Sequence, residues 1–222
     1  MELIVGVALR GHPRDWLRWG GHGGPPLQKM QASVRREEFV GNRYRIGMLV
    51  SLASIAMLFT SLSSAYIVRS GVTYDWFPIA VPRVMFGSTA LIILSSIAIE
   101  IARRRLKQSL SESYSRYLLL TGLLGLGFLV SQLIAWRQLA GQGIYISSHP
   151  HSSFFYLLTG AHAVHVAGGL LALGFLWLRS RRHLDAPRLI AKRQAVVDAV
   201  SIYWHFMGAL WIYLFLLLFL WR

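Results

Sequence analysis

The residues with the widest chemical scope in this chain are three histidines and one aspartate. His162 and His165 lie three apart in SSFFYLLTGAHAVHVAGGLLALGFLWL, Ser152 to Leu178, a spacing that sets two imidazoles near one face of a helix. Asp198 and His205 lie seven apart and share a face of a later helix, with Ser201 between them and Tyr203 and Trp204 beside His205. Imidazole is a good iron ligand, so a metal or haem site is one reading. In another, the rings bond to carbonyls, hydroxyls, lipid headgroups or one another inside a packed bundle. The second is preferred, because Gly160, Ala161, Ala163, Ala167, Gly168 and Gly169 are small residues suited to close helix contact rather than to an open pocket. A proton path is a third reading, but acids are scarce. Asp198 and Glu100 sit near the ends of their apolar runs, and the middles of those runs contain no Asp or Glu.

The elements that position these residues are membrane helices. The 27-residue run at 152–178 has no formal charge with histidine neutral, and at about 1.5 Å per residue it can cross a hydrocarbon layer of roughly 30 Å. Four other runs complete an all-α integral membrane fold of five spans, at about 46–68, 82–101, 117–136, 152–178 and 199–221. The serines at 51, 54, 61, 63 and 64 can bond back to the preceding turn or to neighbouring helices. Pro82 suits the first turn of the second helix. The third span has Gln132 as its main polar group and Gly122, Gly125 and Gly127 as possible packing points. Gly141, Gly143 and Pro150 break the chain before the fourth. Trp76, Phe77 and Trp221 suit the membrane interfaces.

Composition agrees with this reading. The chain has 222 residues, is 55% hydrophobic, and has a mean hydropathy of +0.47. The absence of cysteine excludes thiol catalysis, disulfides and cysteine-held iron–sulfur or copper centres. There is no HExxH helix, glycine-rich phosphate motif or nucleophile elbow. The net charge of +14 would suit nucleic acid if it were clustered on a soluble face, but it lies between the spans. Residues 1–45, 103–116 and 179–195 hold 19 of the 23 Lys and Arg; the opposite side holds Arg69, Arg83, Arg137 and Arg222. The basic side is expected to be cytoplasmic, with the N-terminus inside and the C-terminus external. Residues 1–45 read as a polar, partly mobile tail in which His12 and His22 lack a rigid frame for a metal. The opening MELIVGVALR is too short and lacks the flanks of a cleaved signal.

From about residue 43 onward the chain resembles subunit III of the haem-copper oxygen reductases, the cytochrome c oxidase subunit III family, in its short five-helix bacterial form. The strongest matches are Gly160, His162, His165, Gly168 and Gly169 in FFYLLTGAHAVHVAGG, with Tyr203, Trp204, His205 and Phe206 in YWHF. GMLVSLASIAMLF, SSAYIV, the PxxxPR opening of the second helix, and Gln132, Trp136, Leu139 and Gly143 give weaker support. The resemblance implies a non-catalytic subunit beside the haem- and copper-bearing subunit I, with subunit II and phospholipids as further partners. It implies no catalytic residue and no cofactor or metal held by this chain. His162, His165, His205, Tyr203, Trp204, Gln132 and Asp198 then serve packing and a polar network, and Gly160, Gly168 and Gly169 close packing.

Three family acidic positions are different here: Ile55, Ala135 and Gly208 stand where relatives commonly carry acids. A buried acid is costly unless paired or used, so their loss implies a polar network that is absent, rewired or supplied by another subunit. The function expected is support of assembly, active-site stability and proton uptake in a proton-translocating terminal oxidase of a bacterial inner membrane, with cytochrome c as electron donor. Rival readings are a quinol oxidase subunit, an accessory subunit linked to nitric-oxide reduction, and an independent small transporter.

Overall fold

The structure, a computed structural model, describes residues 26–72, 82–108, 111–180 and 187–220, with side chains outside 26–44, 111 and 187–191. The expectations for His12, His22, Trp76, Phe77, Trp221 and the order of residues 1–25 fall outside the described residues. The chain divides into two compact units, Met1–Glu38 and Phe39–Arg222, and the second holds the bundle.

The described residues form five helices: α1 Pro26–Val72, α2 Val84–Lys107, α3 Ser111–Gly141, α4 Pro150–Ser180 and α5 Pro187–Leu220. Each contains a stretch long and apolar enough to cross a membrane. Every helix overruns its apolar run by two residues or more at one end at least. The largest overrun is in α1, which begins at Pro26 where hydropathy places the first span at Ile46. The charge of QKMQASVRREE removes it from a hydrocarbon layer, but Gln, Lys, Met, Arg and Glu are good helix formers, so the helix continues where the apolar run does not.

Caps set the ends. Pro82 lies just ahead of α2 rather than within it, and its carbonyl accepts the Met85 N–H at 3.0 Å. At the end of α3, Gly143 has φ +77°. Its N–H reaches the Ala140 carbonyl and that of Ile144 reaches Leu139, both at 3.0 Å, which caps the last carbonyls with a left-handed residue. Pro150 opens α4. Ser152 Oγ accepts the His149 N–H at 3.1 Å and satisfies a donor ahead of the first turn.

Helices α2, α3, α4 and α5 form a closed ring of neighbours, α2 on α3, α3 on α4, α4 on α5 and α5 on α2. This is the expected result when short connections join antiparallel helices. Helix α1 lies against α4: Phe59 meets the rings of His162 and His165, and Tyr66 those of His151 and Phe154. Polarity is arranged for lipid. Leu171, Val164 and Met57 point outward, whereas Ser88, Ser95, Thr121, Gln132, Thr159 and His162 are buried, because only the interior offers hydrogen-bond partners once water is absent.

Two indole-facing glycines fix how closely the ring can close. A methyl group at Gly125 of α3 would lie 2.8 Å from the Trp204 ring, and one at Gly169 of α4 would lie 2.9 Å from Tyr203 and 3.0 Å from Trp204. At Gly168 nothing lies within 4 Å. Gly169→Ala is therefore expected to destabilise the detergent-solubilised chain by about 1–3 kcal/mol through overpacking. Gly168→Ala is expected to be neutral or to stabilise by up to about 1 kcal/mol through helix propensity. Thermal unfolding followed by helical circular dichroism checks the contrast; equal losses in the two variants would refute it.

Candidate functional site

Trp204 occupies the middle of the four-helix ring. It is fully buried on α5, and its Nε1–H donates to Ser95 Oγ of α2 at 2.9 Å. Ser95 in turn donates to the Thr121 carbonyl of α3 at 3.0 Å. One side chain thus has contacts with every other member of the ring: the hydroxyl of α2, Gly125 of α3 and Gly169 of α4. Next to it, Tyr203 donates its hydroxyl to the His165 carbonyl at 2.7 Å, a second α5–α4 tie. Gly169 has no side chain, which lets the Tyr203 ring lie across α4 to reach that carbonyl.

His162 and His165 have different surroundings. The His165 imidazole is half-buried, with Nδ1 2.7 Å from the Ala161 carbonyl on its own helix. His162 is completely buried and is surrounded by rings from three other helices: Phe59 at 6.3 Å, Phe128 at 5.7 Å and Trp211 at 5.4 Å between centroids. Phe59 and Phe128 present edges, the geometry favoured by aromatic quadrupoles. Neither His162 nitrogen has a hydrogen-bond partner among the described residues. No three His, Asp or Glu side chains gather as a metal site among those residues. His165 is thus tied to a carbonyl of its own helix, whereas His162 makes ring contacts.

The ion-paired residues of α2 and α5 lie together at one end. Arg103 of α2 donates through Nε to Asp198 of α5 at 2.5 Å and through Nη1 to Glu100 at 3.2 Å, and Arg104 donates through Nε to Glu100 at 3.2 Å. His205 Nε2 lies 3.9 Å from Glu100, beyond hydrogen-bond distance. Two carboxylates and two guanidiniums therefore balance across the α2–α5 contact. Nearby, Arg193 lies over the Tyr114 ring at 5.1 Å.

Toward the opposite end the ties are uncharged. Gln132 of α3 donates to Ser88 of α2 at 3.0 Å, Trp211 of α5 to Thr89 of α2 at 3.0 Å, and Trp136 of α3 to Thr159 of α4 at 3.1 Å. Tyr66 Oη and His151 Nε2 are 3.1 Å apart across the α1–α4 contact. Arg103, Trp211, Thr159, Tyr66 and His151 are absent from the sequence-based set of site residues. A weak signal existed for some of them, since each buried indole requires an acceptor on a neighbouring helix. The glycines are corrected in part: Gly169 is a close-packing point, Gly160 has only the edge of Trp136 at 3.9 Å, and Gly168 faces open space.

The profile of the family described as "Cytochrome c oxidase subunit III" matches residues 30–222. The chain belongs to the cytochrome c oxidase subunit III family. It is 32% identical over 178 residues to a protein named "Probable cytochrome c oxidase subunit 3" from Mycobacterium tuberculosis, covering 78% of this chain and 86% of the relative. It is similarly 32% identical over 181 residues to "Cytochrome c oxidase subunit 3" of Thermostichus vulcanus, at 79% and 86% coverage. With the protein of that name from a Bacillus species the identity is 27% over 197 residues, at 85% and 91%.

In this subunit III chain, the three positions at which the resemblance leads one to expect acids, Ile55, Ala135 and Gly208, have distinct surroundings. Ala135 is wholly buried in the core, Ile55 packs half-buried against it, and Gly208 is buried with Ser96 Oγ 3.1 Å from where a Cβ would stand. Glu100 and Asp198, the acids at the α2–α5 contact, are engaged by Arg103 and Arg104. In the third-exposed Arg103–Asp198 pair, removing Arg103 takes away the cation that Asp198 faces, and removing Asp198 leaves Arg103 with Glu100 alone. Arg103→Gln and Asp198→Asn should each cost about 1–2 kcal/mol, and the double variant about 1 kcal/mol less than their sum. A double-mutant cycle on thermal midpoints reads the coupling; strict additivity would show that the pair contributes nothing.

Proposed function

We propose that this chain is the non-catalytic subunit III of a respiratory haem-copper oxidase that takes electrons from cytochrome c and reduces oxygen to water, and that it packs beside the subunit holding the haem and copper. The observation that carries this reading is the family match across residues 30–222, nearly the whole chain. The geometry supports a structural role. Hydrogen bonds from Trp204, Gln132, Trp136 and Trp211 each join two helices, so the buried polar groups go largely to holding helices together.

The concentration of 19 of 23 Lys and Arg at 1–45, 103–116 and 179–195 supports a cytoplasmic N-terminus and an external C-terminus in a bacterial inner membrane. The Glu100–Arg103–Asp198–Arg104 cluster then lies on the cytoplasmic side. His162, His165, His205, Tyr203, Trp204, Gln132 and Asp198 act as packing and network residues, and residues 46–222 as the membrane domain. With no acid at Ile55, Ala135 or Gly208, the complex depends less on this subunit for proton uptake than relatives that carry them.

Two measurements test the reading. Mild-detergent purification of the tagged chain from its native membrane should bring down a large haem-bearing subunit with haem absorbance. Recovery of the chain alone, without haem, under conditions that keep other respiratory complexes intact, would overturn the role. In the purified complex, Ile55→Glu is expected to leave proton uptake and catalytic lifetime within about twofold, as for a substitution that enters no functional network. A larger change would show that the missing acid had not been compensated.

A further inference from the structure

Deep in the four-helix ring, each helix gives side chains to one polar layer. Helix α2 supplies Ser88 and Thr89, α3 supplies Gln132, α4 His162 and α5 Trp211. Gln132 donates to Ser88, and Trp211 donates to Thr89 beside it. His162 lies at the same depth as Gln132. From the Trp136–Thr159 bond that joins α3 to α4, Gln132 is one step back along α3 and His162 one step on along α4. The two helices are antiparallel, so both steps run the same way, about 6 Å and about 4.5 Å at about 1.5 Å per residue. His162 also points inward, since it meets Phe128 of α3 and Trp211 of α5, on the two helices that flank its own. Phe128 and Gln132 share a face of α3, so Gln132 faces the same interior.

The hydrogen bonds of this layer do not close. Ser88 and Thr89 both donate their hydroxyl protons to the Met85 carbonyl at 2.9 Å. Their oxygens can therefore only accept, which turns the Gln132 amide nitrogen toward Ser88 and leaves Oε1 as a buried acceptor without a partner among the described residues. His162 is fully buried and has no partner at either nitrogen. A neutral imidazole offers one N–H and one lone pair. Aromatic edges carry partial positive charge, so the edges of Phe59 and Phe128 suit the lone pair and cannot accept the N–H. One donor and one acceptor remain, at one depth and facing one interior, without a direct bond between them.

We infer that a single water molecule is held in this layer, accepting from the His162 N–H and donating to Gln132 Oε1. Two polar atoms joined through one water stand up to about 5–6 Å apart, two hydrogen-bond lengths. Leaving both groups unmet in the bundle interior costs more than the entropy of immobilising one water. A hard cation is a poorer occupant, because it requires about six oxygen ligands and the layer has one uncommitted oxygen. The bridge adds a polar tie between α3 and α4 about one turn from that of Trp136 and Thr159, and it fixes which imidazole nitrogen carries the proton.

The test uses the full chain, labelled with ¹⁵N-histidine and placed in bilayers, with solid-state NMR transfer of magnetisation from water to imidazole nitrogens. The resonance missing from His162→Phe identifies His162. Wild type is expected to show transfer to it, and Gln132→Met, which keeps the side-chain volume and removes the acceptor, is expected to lower that transfer about fivefold or more, the scale of one lost hydrogen bond. Exposed His149 reports unchanged transfer in both. Should Gln132→Met fail to insert, a map of the whole oxidase complex at about 2 Å resolution carries the test: a water peak is expected within about 3.2 Å of both Gln132 Oε1 and one His162 nitrogen. No transfer to His162 in wild type, equal transfer in Gln132→Met, or a map in which the amide oxygen bonds the imidazole directly would each overturn the inference.

Discussion

The hydrogen bond from Trp204 to Ser95, with the indole lying on Gly125 and Gly169, is the contact on which the rest of the bundle depends. In a bilayer, apolar side chains gain little by leaving lipid for protein, so helices associate where backbones can come close and polar groups can find partners. Trp204 meets both conditions at one place. Its donor has an acceptor on α2, and the hydroxyl of that acceptor donates in turn to the Thr121 carbonyl of α3. Its ring fills the space left by two absent side chains. The face of α5 that can do this is fixed, and with it the rotation that puts Tyr203 on the α4 carbonyl and Trp211 on Thr89.

Around that centre, polar chemistry is graded by depth. The middle and one end of the bundle use hydroxyls, indoles and one carboxamide, each forming a bond of modest strength that needs no countercharge. The ion pairs that join α2 to α5 lie at the end where α2 finishes and α5 begins, where headgroups and water can complete their solvation. His162 is the exception, since it is a polar ring deep in the interior with aromatic edges where bonds would be expected. Aromatic contacts compensate part of its desolvation and hold it between α1 and the ring, so Phe59 of α1 is registered on α4 through an imidazole.

The five spans are legible in the sequence because an uncharged run of about twenty residues has few other fates. Their ends are less so. Hydropathy reports where lipid stops, whereas propensity and capping decide where the helix stops; α1 starts twenty residues before its apolar run, and α3 ends where Gly143 can adopt a left-handed backbone. The motif residues are legible as a set, and YWHF does contain the central indole. Partners are not, because they depend on the rotation of one helix against another. Gly168 and Gly169 are equivalent in the sequence, yet a 100° turn puts one on Trp204 and the other outside. Arg103 stands in a triplet with Arg104 and Arg105, and only the position of Asp198 distinguishes it.

Chain order gives the central indole a further meaning. The seat that Trp204 fills is built by α2, α3 and α4, and α5 follows all three as the polypeptide leaves the ribosome. Until α5 is threaded into the bilayer, Ser95 has no indole to accept from, and the two glycine notches face lipid. The half-built bundle therefore presents an unfilled polar slot, and insertion of the last helix is the step that conceals it.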